Sequence, residues 1–400
     1  DRLIAPKLYT DTKLLFGIAY PEDGVVERKN DYGNIIGEDE DERTGLGSGG
    51  IANHHAQIII PDRIKMRYSD NGNMSNFSRI SEVYWISGGI GERGNKGETN
   101  YKPATNGLPP YSFEGNFTEY EAGRKVMPSN RGKLTISFDS SVVEDISSTI
   151  TVFRLRTDTD AVWENIGGEV NAKAHTITVP FDEFGYYQVV KLKRSFSDIT
   201  NHGWARNILN GLYSKGIMNF VRADEFGAND LTTRGEFATL LVKGLNLPIN
   251  SAGNQTFFDI TPESKTRTWD YDHIETAARA GIVNGLNEGF FGPDLRITRE
   301  DAAVMIAKAL QLKLSVNNSK LEANLAKAFV DSGSINVYAR PAVEAVNKAK
   351  IMTGNSTTVP GQKKPLVSFN PKGYMTRAEA GKIAIALLQK NTNLFPKNLS

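Results

Sequence analysis

The pattern of apolar and polar positions changes character partway along this 400-residue chain. Between residues 130 and 192, short apolar runs alternate with polar residues, as in Lys133–Asp139, and clusters of Asp, Asn and Gly separate the runs. A period of two is typical of strands that bury one face, and a series of short strands between turns is typical of a sandwich or barrel. We predict a small β-sandwich-like module over residues 130–193.

The first 129 residues are rich in Gly, Asn and Asp and hold only short apolar runs, at 13–20 and 55–61. Both runs are long enough for a strand and too short for a stable helix. We predict a β-rich region of unknown fold over residues 1–129. Because the chain begins at Asp1 without a leader, we expect a processed chain or a fragment, and this region to be the end of a larger domain.

The apolar period becomes helical after about residue 195. Trp204, Ile208 and Leu212 recur at nearly 3.6-residue spacing, and residues 236–247 place their apolar side chains on one face. Spacing of this kind predicts amphipathic helices. We therefore place a domain boundary at Lys193.

Composition narrows the class of protein. Hydrophobic residues make up 39% of the chain and charged residues 23%, which is typical of a core-forming soluble protein. No apolar run approaches the ~20 residues that span a bilayer. The chain has no cysteine, so a disulfide scaffold, a thiol nucleophile and a thiolate metal site are excluded.

The net charge of +1 conceals two halves of opposite sign. Residues 191–400 hold 27 basic and 18 acidic side chains, whereas residues 1–190 hold 20 and 28. A basic C-terminal half favours an anionic ligand, and both nucleic acid and an acidic polysaccharide fit that description.

The C-terminal half repeats itself three times. Shifting the sequence by 65 residues superposes the second copy on the first, and a third copy follows with a nine-residue insertion. Each copy opens with Phe-x-Asp at 196–198, 257–259 or 329–331. We predict repeats at 194–254, 255–325 and 326–393. The matched positions include Trp204, Trp269 and Tyr338, then Phe226, Phe291 and Phe369, and then Arg234, Arg299 and Arg377.

The second helix of each copy starts with the same signal, which reads TRGE, TRED or TRAE. A threonine followed three residues later by an acid has the spacing of a capping box. A threonine cap stabilises a helix by about 1 kcal/mol. We predict that Thr233, Thr298 and Thr376 are the N-caps.

An arginine at the first helical position opposes the helix dipole, yet all three copies carry one. Arg234, Arg299 and Arg377 could pair with neighbouring carboxylates or lie in solvent. The alternative is that they bind an anion, with exposed first-turn amides as additional donors. A guanidinium suits a carboxylate because its fork binds both oxygens.

This set of motifs, namely Phe-x-Asp, an aromatic residue before an apolar helix, Gly-Ile, and Thr-Arg-Ala-Glu, resembles the S-layer homology repeat of bacterial cell-envelope proteins over residues 195–390. Residues 130–193 loosely resemble a small β-sandwich module often found before such repeats. The resemblance implies a multidomain chain, in which an N-terminal all-β, sandwich-like region precedes an all-α pseudo-trimeric bundle.

The resemblance also implies a ligand. Grooves of the three-repeat unit would bind secondary cell-wall polysaccharide, commonly through pyruvylated N-acetylmannosamine, with Arg234, Arg299 and Arg377 contacting the acidic ketal. Gly235 departs from the motif in the first copy, and Glu300 and Asp301 add negative charge beside Arg299 in the second. We therefore expect the three grooves to bind unequally.

Two interpretations of Trp204, Trp269 and Tyr338 stay open. An aromatic side chain at helical spacing is usually part of the core. The alternative is a platform at a groove wall that stacks on the apolar face of a sugar ring. Following the second interpretation, we include all three among the predicted polysaccharide-binding residues.

Other candidate chemistry is weak. His54 and His55 are adjacent, so in a strand they point to opposite faces and are a poor metal site. The acidic run at 38–43 offers oxygens for calcium without EF-hand spacing, so a solvated loop is the simpler interpretation. No P-loop, G-x-S-x-G or HExxH motif is present. We predict no catalytic residue, no metal and no cofactor.

The leading hypothesis is an extracellular S-layer or S-layer-associated protein, anchored to the cell wall without a covalent bond and able to self-assemble into a lattice. The first alternative is a wall-anchored polysaccharide hydrolase with an unrecognised or missing catalytic part. The second alternative is a nucleic-acid binder. Basic residues spread over three units, rather than along one stripe, argue against nucleic acid.

Overall fold

The computed structural model describes residues 2–3, 8–10, 13–20, 55–59, 74–90, 102–103, 132–155, 163–181, 185–287 and 289–399. The chain divides into two compact units, Asp1–Arg194 and Ser195–Ser400. The first unit is rich in strands and the second is helical, as the change of apolar period predicts. The acidic run at 38–43 and His54 lie outside the described residues.

Twelve described strands of the first unit form two six-stranded sheets. Order in the first sheet is β1-β3-β7-β11-β10 with β2 on β3, and order in the second is β4-β5-β12-β8-β9 with β6 on β5. The strands are β1 Arg2–Leu3, β2 Leu8–Thr10, β3 Lys13–Tyr20, β4 His55–Ile59, β5 Phe77–Ile90, β6 Lys102–Pro103, β7 Gly132–Ser137, β8 Ile150–Leu155, β9 Trp163–Gly167, β10 Glu169–Asn171, β11 Thr176–Phe181 and β12 Gly185–Leu192.

Both sheets contribute to one apolar cluster. Leu134 and Ile136 on β7 and Ile177 on β11 come from the first sheet, while Val152 on β8 and Val189 on β12 come from the second. All five side chains are fully buried. Alternate residues of β11 are buried, which is the period-two pattern predicted for a strand with one covered face.

The strands of residues 1–129 and 130–193 belong to the same two sheets. In the first sheet β3 pairs with β7, with Phe16 opposite Ile136, and in the second β5 pairs with β12, with Tyr84 opposite Tyr187. Strands from both sides of the boundary predicted at 129/130 therefore pair within each sheet.

The second unit holds the three repeats, each built mainly from two helices joined by a loop that carries a buried Phe. The helices of the described chain are α1 Ile146–Thr149 in the first unit, and α2 Ser197–Thr200, α3 Arg206–Ser214, α4 Arg234–Gly244, α5 Tyr271–Arg279, α6 Arg299–Ala309, α7 Ser319–Ala328, α8 Arg340–Lys348 and α9 Arg377–Asn391 in the second. None of these described helices is long and apolar enough to cross a bilayer.

The second unit is not exclusively helical, so the all-α expectation needs one correction. The nine-residue insertion of the third repeat contributes to a two-stranded hairpin, β13 Asn355–Thr357 and β14 Leu366–Ser368. The residues of β13 are exposed, whereas two residues of β14 are partly buried and the Val367 carbonyl accepts from the Val330 amide.

Candidate binding site at the repeat junctions

Each second helix begins against the loop of another repeat. The first two amides of α4, from Arg234 and Gly235, donate to carbonyls of Leu295 and Pro293 in the second repeat. The same two amides of α6 donate to Gly373 and Pro371 in the third repeat, and those of α9 donate to Asp230 and Ala228 in the first. The order of contacts is first to second, second to third and third back to first, so the three repeats close a ring.

Helix packing follows the same order. The second helix of each repeat packs on the first helix of the next, which pairs α4 with α5, α6 with α8 and α9 with α3. Each of the three junctions therefore combines the start of one second helix, the first helix of the following repeat and the Phe loop of that repeat.

The Asp of each Phe-x-Asp motif holds the loop at the junction. Asp198 accepts hydrogen bonds from the amides of Phe226, Gly227 and Ala228 at 2.8–3.0 Å. Asp259 and Asp331 do the same for two amides each in their own repeats. Burial opposes the charged form of Asp198, but the backbone amides outweigh burial and lower its pKa.

The predicted N-caps are confirmed at all three second helices. Thr233, Thr298 and Thr376 accept from the third helical amide at 3.1, 3.3 and 3.1 Å. A complete capping box forms only in the third repeat, where Glu379 also accepts from the Thr376 amide at 2.8 Å. With the caps in place, the first three amides of every second helix are bonded to protein. The expectation that exposed first-turn amides would help to bind an anion is therefore wrong.

Arg377 is the most enclosed of the three arginines, with 1% of its surface exposed. Its Nε donates to Oε1 of Glu236 at 2.7 Å, and its two Nη atoms donate to the carbonyls of Phe226 and Asn219. The guanidinium also lies 4.4 Å from the centre of the Phe226 ring. Every nitrogen of this side chain is engaged in joining the third repeat to the first.

Arg234 has weaker partners at the corresponding place. Its Nε donates to the Phe291 carbonyl at 3.1 Å, one Nη donates to the Asn284 carbonyl at 3.4 Å, and the other lies 3.7 Å from Asp301. Burial lowers the pKa of this guanidinium, and the Asp301 charge opposes that effect. Arg234 therefore joins the first repeat to the second with one long ion pair.

Arg299 has the fewest partners. Its Nε donates to the Phe369 carbonyl at 2.7 Å, and its guanidinium lies 5.3 Å from the centre of the Phe369 ring. Its Nη atoms have no hydrogen-bond partner among the described residues. The residue as a whole is 8% exposed. Burial lowers its pKa, and the carboxylates of Glu379 and Asp331 oppose that effect.

The aromatic residues that precede the first helices differ in exposure. Trp204 and Tyr338 are 46% and 59% exposed, whereas Trp269 is 7% exposed and donates from Nε1 to Asp294 at 3.0 Å. All three lie before the first residue of the helix: Trp204 in a turn, Trp269 in irregular backbone and Tyr338 in a 3-10 segment. The burial of Trp269 fits the core interpretation. Trp204 and Tyr338 expose about half of their surface to solvent and are not core residues.

The acid at the third position of a second helix meets the arginine of another repeat in two places. Glu236 accepts from Arg377 at 2.7 Å, and Asp301 lies 3.7 Å from Arg234 and accepts from Tyr338 at 2.7 Å. The charge of Glu379 acts on Arg299 without a hydrogen bond between the two side chains. We name the three junctions after the aromatic residue that precedes each first helix: the Trp204, Trp269 and Tyr338 junctions.

Sequence reasoning missed two members of these junctions. Capping-box spacing accounts for the acids only as capping partners. No spacing in the sequence points to Lys382, whose ammonium lies 5.4 Å from the centre of the Trp204 ring. The acids at 300 and 301 were expected to crowd Arg299. Glu300 instead accepts from Asn336 and Lys372, and Asp301 accepts from the Tyr338 hydroxyl at 2.7 Å.

Two carboxylates, those of Glu300 and Asp301, lie beside the hydroxyl of Tyr338. Burial, followed by the hydrogen bond to the Asp301 carboxylate, raises the pKa of Tyr338, so the phenol remains a donor at neutral pH. Among the described residues no group of three or more His, Asp or Glu side chains is placed to hold a metal ion. Chemically, the junctions can offer cations, hydrogen-bond donors and aromatic faces.

Comparison with known proteins agrees with the repeat pattern. The S-layer homology domain model matches residues 195–238, 264–303 and 329–380. The chain is 31% identical over 198 residues to an endoglucanase of Bacillus sp. (strain KSM-635), covering 49% of this chain and 19% of that protein. It is 29% identical over 232 residues to an amylopullulanase of Thermoanaerobacterium thermosulfurigenes, covering 58% and 11%.

Surface-layer proteins are among the relatives as well. S-layer protein EA1 of Bacillus anthracis is 29% identical over 124 residues, covering 31% of this chain and 14% of that protein. The chain thus spans less than a fifth of the length of these three relatives. The matched domains indicate an extracellular location at the cell wall or S-layer. Residues 195–238, 264–303 and 329–380 are three S-layer homology domains, so the helical unit of this chain belongs to that domain family.

Proposed function

We propose that the helical unit anchors the chain to the cell wall by binding an anionic secondary cell-wall polysaccharide, with pyruvylated N-acetylmannosamine as the recognised sugar. The observation that carries the proposal is the closed ring of three S-layer homology domains, in which the arginine-bearing start of every second helix lies against the loop of another repeat. The ring is a pseudo-trimeric arrangement of the repeats.

The strand-rich unit would be the displayed part of an S-layer or surface protein, whose copies assemble into a lattice. The proposal places Arg234, Arg299, Arg377, Trp204, Trp269 and Tyr338 at the polysaccharide site. Their burial differs, so direct contact with the ligand would fall on the exposed members, while the enclosed arginines hold the junctions in shape.

A second candidate is a wall-anchored polysaccharide hydrolase. It is favoured by the names of three relatives, the endoglucanase, the amylopullulanase and an exoglucanase of Acetivibrio thermocellus, of which this chain spans 19%, 11% and 17%. The match covers only a small part of each of these proteins. An assay of the full chain on soluble glucans, with release of reducing sugar as the readout, separates this candidate from a non-enzymatic surface protein.

Cosedimentation tests the proposed function. The full chain is mixed with purified cell walls, with walls from which the polysaccharide has been extracted, and with duplex DNA as a competitor. We expect binding to intact walls, loss of binding to extracted walls, and no effect of DNA. Equal sedimentation with both wall preparations contradicts the proposal, and competition by DNA favours a nucleic-acid binder.

A further inference from the structure

We propose that the helical unit carries a self-association surface, through which two copies of the chain pair face to face. The surface is the outer side of the loop of the second repeat. It consists of Phe258, Leu286, Phe290 and Leu295, and we call it the apolar face. This inference deepens the self-assembly named in the proposed function and rests on it, whereas it does not depend on polysaccharide binding.

The four residues of the apolar face are large, apolar and open to solvent. Phe258 is 71% exposed and Phe290 47%, while Leu286 and Leu295 are 50% and 54% exposed. Together they expose on the order of 400 Å², within the ~300–600 Å² of the largest apolar patch on a typical monomer, which is often functional. One exposed leucine needs no explanation, but four large apolar residues on a single loop do.

One turn holds the apolar face together. The Leu286 amide donates to the Phe290 carbonyl at 2.7 Å, and the Phe258 amide donates to the Gly289 carbonyl at 2.9 Å. The centres of the two phenyl rings lie 6.1 Å apart. Because these hydrogen bonds fix the backbone that carries the side chains, little ordering is required when a partner covers the face.

Two glycines let the side chains lie across this turn. Gly289 and Gly292 have φ values of +84° and +70°, which residues with a side chain rarely adopt. A Cβ on Gly289 would lie 2.7 Å from Phe258 Cε2. A Cβ on Gly292 would lie 2.7 Å from Leu295 Cδ1 and 3.0 Å from Leu286 Cδ1. One phenyl ring and both leucines therefore pack over glycine backbone, which joins the side chains into one surface.

The other two repeats do not carry this face at the matched positions. In the third repeat, three of the four positions hold Val330, Ser368 and Gly373. In the first repeat, Arg222 donates to Glu225 and Asp230, both at 2.7 Å. The 65-residue shift matches the apolar face to Ser197, Val221, Glu225 and Asp230. The same loop therefore folds with charged residues on its outer side, so folding alone does not require the apolar residues of the second repeat.

A second copy of the same face is the partner that these observations favour. The four side chains have no charge and no hydrogen-bonding group, so they offer no polar contact to a sugar or an anionic polymer. Two identical apolar faces are complementary across a twofold axis, and one face per chain limits the assembly to pairs.

The area of the apolar face sets the strength of the pair. Two faces together would bury about 800 Å², less than the ~1,200–2,000 Å² of a stable interface. The pair is therefore weak in solution and forms mainly where copies are held at a high local concentration, as on a cell wall.

Sedimentation equilibrium of the full chain, from about 10 μM to about 1 mM, tests the inference. We expect a reversible pair in the upper part of that range, and no weakening when salt is raised, because the contact is apolar. A chain that stays monomeric throughout overturns the inference. Pairing that is lost in high salt also overturns it, since that result indicates a contact between opposite charges.

The first repeat supplies the variant. Phe258→Ser, Phe290→Glu and Leu295→Asp together place the residues of the first repeat on the loop of the second, and we call this the exchange variant. It should weaken pairing by about a hundredfold or more, because apolar area is lost and each new carboxylate faces its own copy. Phe290→Glu alone should weaken pairing by about tenfold or more. Pairing as strong as that of the wild type overturns the inference.

Val316→Asp is the matched control. It places an acid at a valine that is 76% exposed and lies outside the apolar face, so pairing should stay within about twofold of the wild type. Circular dichroism establishes that each variant is folded. An equal loss of pairing in this control overturns the assignment to the apolar face.

A mixing experiment distinguishes a symmetric pair from a head-to-tail contact. Fluorescently labelled exchange variant is mixed with an excess of unlabelled wild type, and we expect the label to stay monomeric because both partners must supply an apolar face. Label that moves into pairs shows that the face binds a different surface, which overturns the inference. Wall binding without pairing overturns this inference alone, and pairing without wall binding overturns the proposed anchoring alone.

Discussion

The Nε atom of Arg377 lies 2.7 Å from Oε1 of Glu236, and these two buried side chains join the third repeat to the first. Removing one partner of a buried ion pair leaves an uncompensated charge, which typically costs about 3–5 kcal/mol. We expect Arg377→Met and Glu236→Gln each to lower the free energy of unfolding by that amount, as measured by urea denaturation.

The double variant gives the control for this pair. Arg377→Met combined with Glu236→Gln should cost less than the sum of the two single changes, because no lone charge is left. Additive losses would show that the two side chains are not coupled. Substitution of Arg377 can abolish attachment to walls simply by unfolding the helical unit. Binding experiments on such variants therefore need a measured free energy of unfolding for each variant.

Stability in acid should depend on Asp198. Three backbone amides lower its pKa in the folded state below the ordinary value of 3.8, so the unfolded state binds the proton more tightly. The stabilisation from this carboxylate is therefore complete above the unfolded pKa and is lost as pH falls through the folded pKa. We expect Asp198→Asn to lose about 1–3 kcal/mol at pH 7.

The same variant should flatten the pH dependence below about pH 5, because the titrating group is gone. Denaturant unfolding of the wild type and of Asp198→Asn at matched pH values measures the difference. Parallel curves for the two proteins between pH 5 and pH 2 would contradict the assigned role of this carboxylate.

A gain in stability is expected at Thr232. This side chain is fully buried, and its Oγ1 has no hydrogen-bond partner among the described residues, while its backbone is bonded to Met375 and Ile297. Thr232→Val keeps the shape and removes the unpaired hydroxyl, so we expect a gain of about 1 kcal/mol in thermal unfolding experiments.

The neighbouring threonine supplies the matched control. Thr233→Val removes the N-cap of α4, whose Oγ1 accepts from the Glu236 amide, and should cost about 1 kcal/mol. The two adjacent substitutions are therefore expected to have opposite signs. A loss of stability on Thr232→Val would mean that its hydroxyl has a partner in solution.

Gly235 should not tolerate a side chain, although Glu300 and Ala378 occupy the matched positions. A Cβ there would lie 2.9 Å from Trp269 Cγ and 3.0 Å from the Pro293 carbonyl oxygen. We expect Gly235→Ala to cost about 1–3 kcal/mol, measured by urea denaturation, because the indole or the loop must shift. Gly203→Ala adds the same methyl group where no atom lies within 4 Å and should be nearly neutral. Equal stability of both variants would contradict this packing.

The sequence predicted local features well. Strands at 13–20 and 55–59 and the three threonine caps depend on periods or spacings within about ten residues, and the equivalence of the three arginines follows from the repeat. The destinations of the arginine side chains could not be predicted in the same way. Arg377 meets Glu236 across 141 positions, and only the closed ring brings them together.

Aromatic positions show a second limit of sequence reasoning. Helical spacing placed Trp204 and Trp269 on the same kind of apolar face, yet one is half exposed and the other is buried. The difference depends on Gly235, which lets the Trp269 indole approach the helix backbone. The glycine at position 235, where the other repeats have Glu300 and Ala378, is therefore the sequence feature that accounts for the burial of Trp269.

The ring of repeats limits how the number of repeats can change in evolution. Every repeat contributes one face to the repeat before it and another to the repeat after it. Excising a single repeat would leave a helix start and a Phe loop without their counterparts, even though the remaining two sequences were untouched. Gains or losses of these units are thus expected to occur as complete sets of three, since an incomplete set has no closed form to adopt.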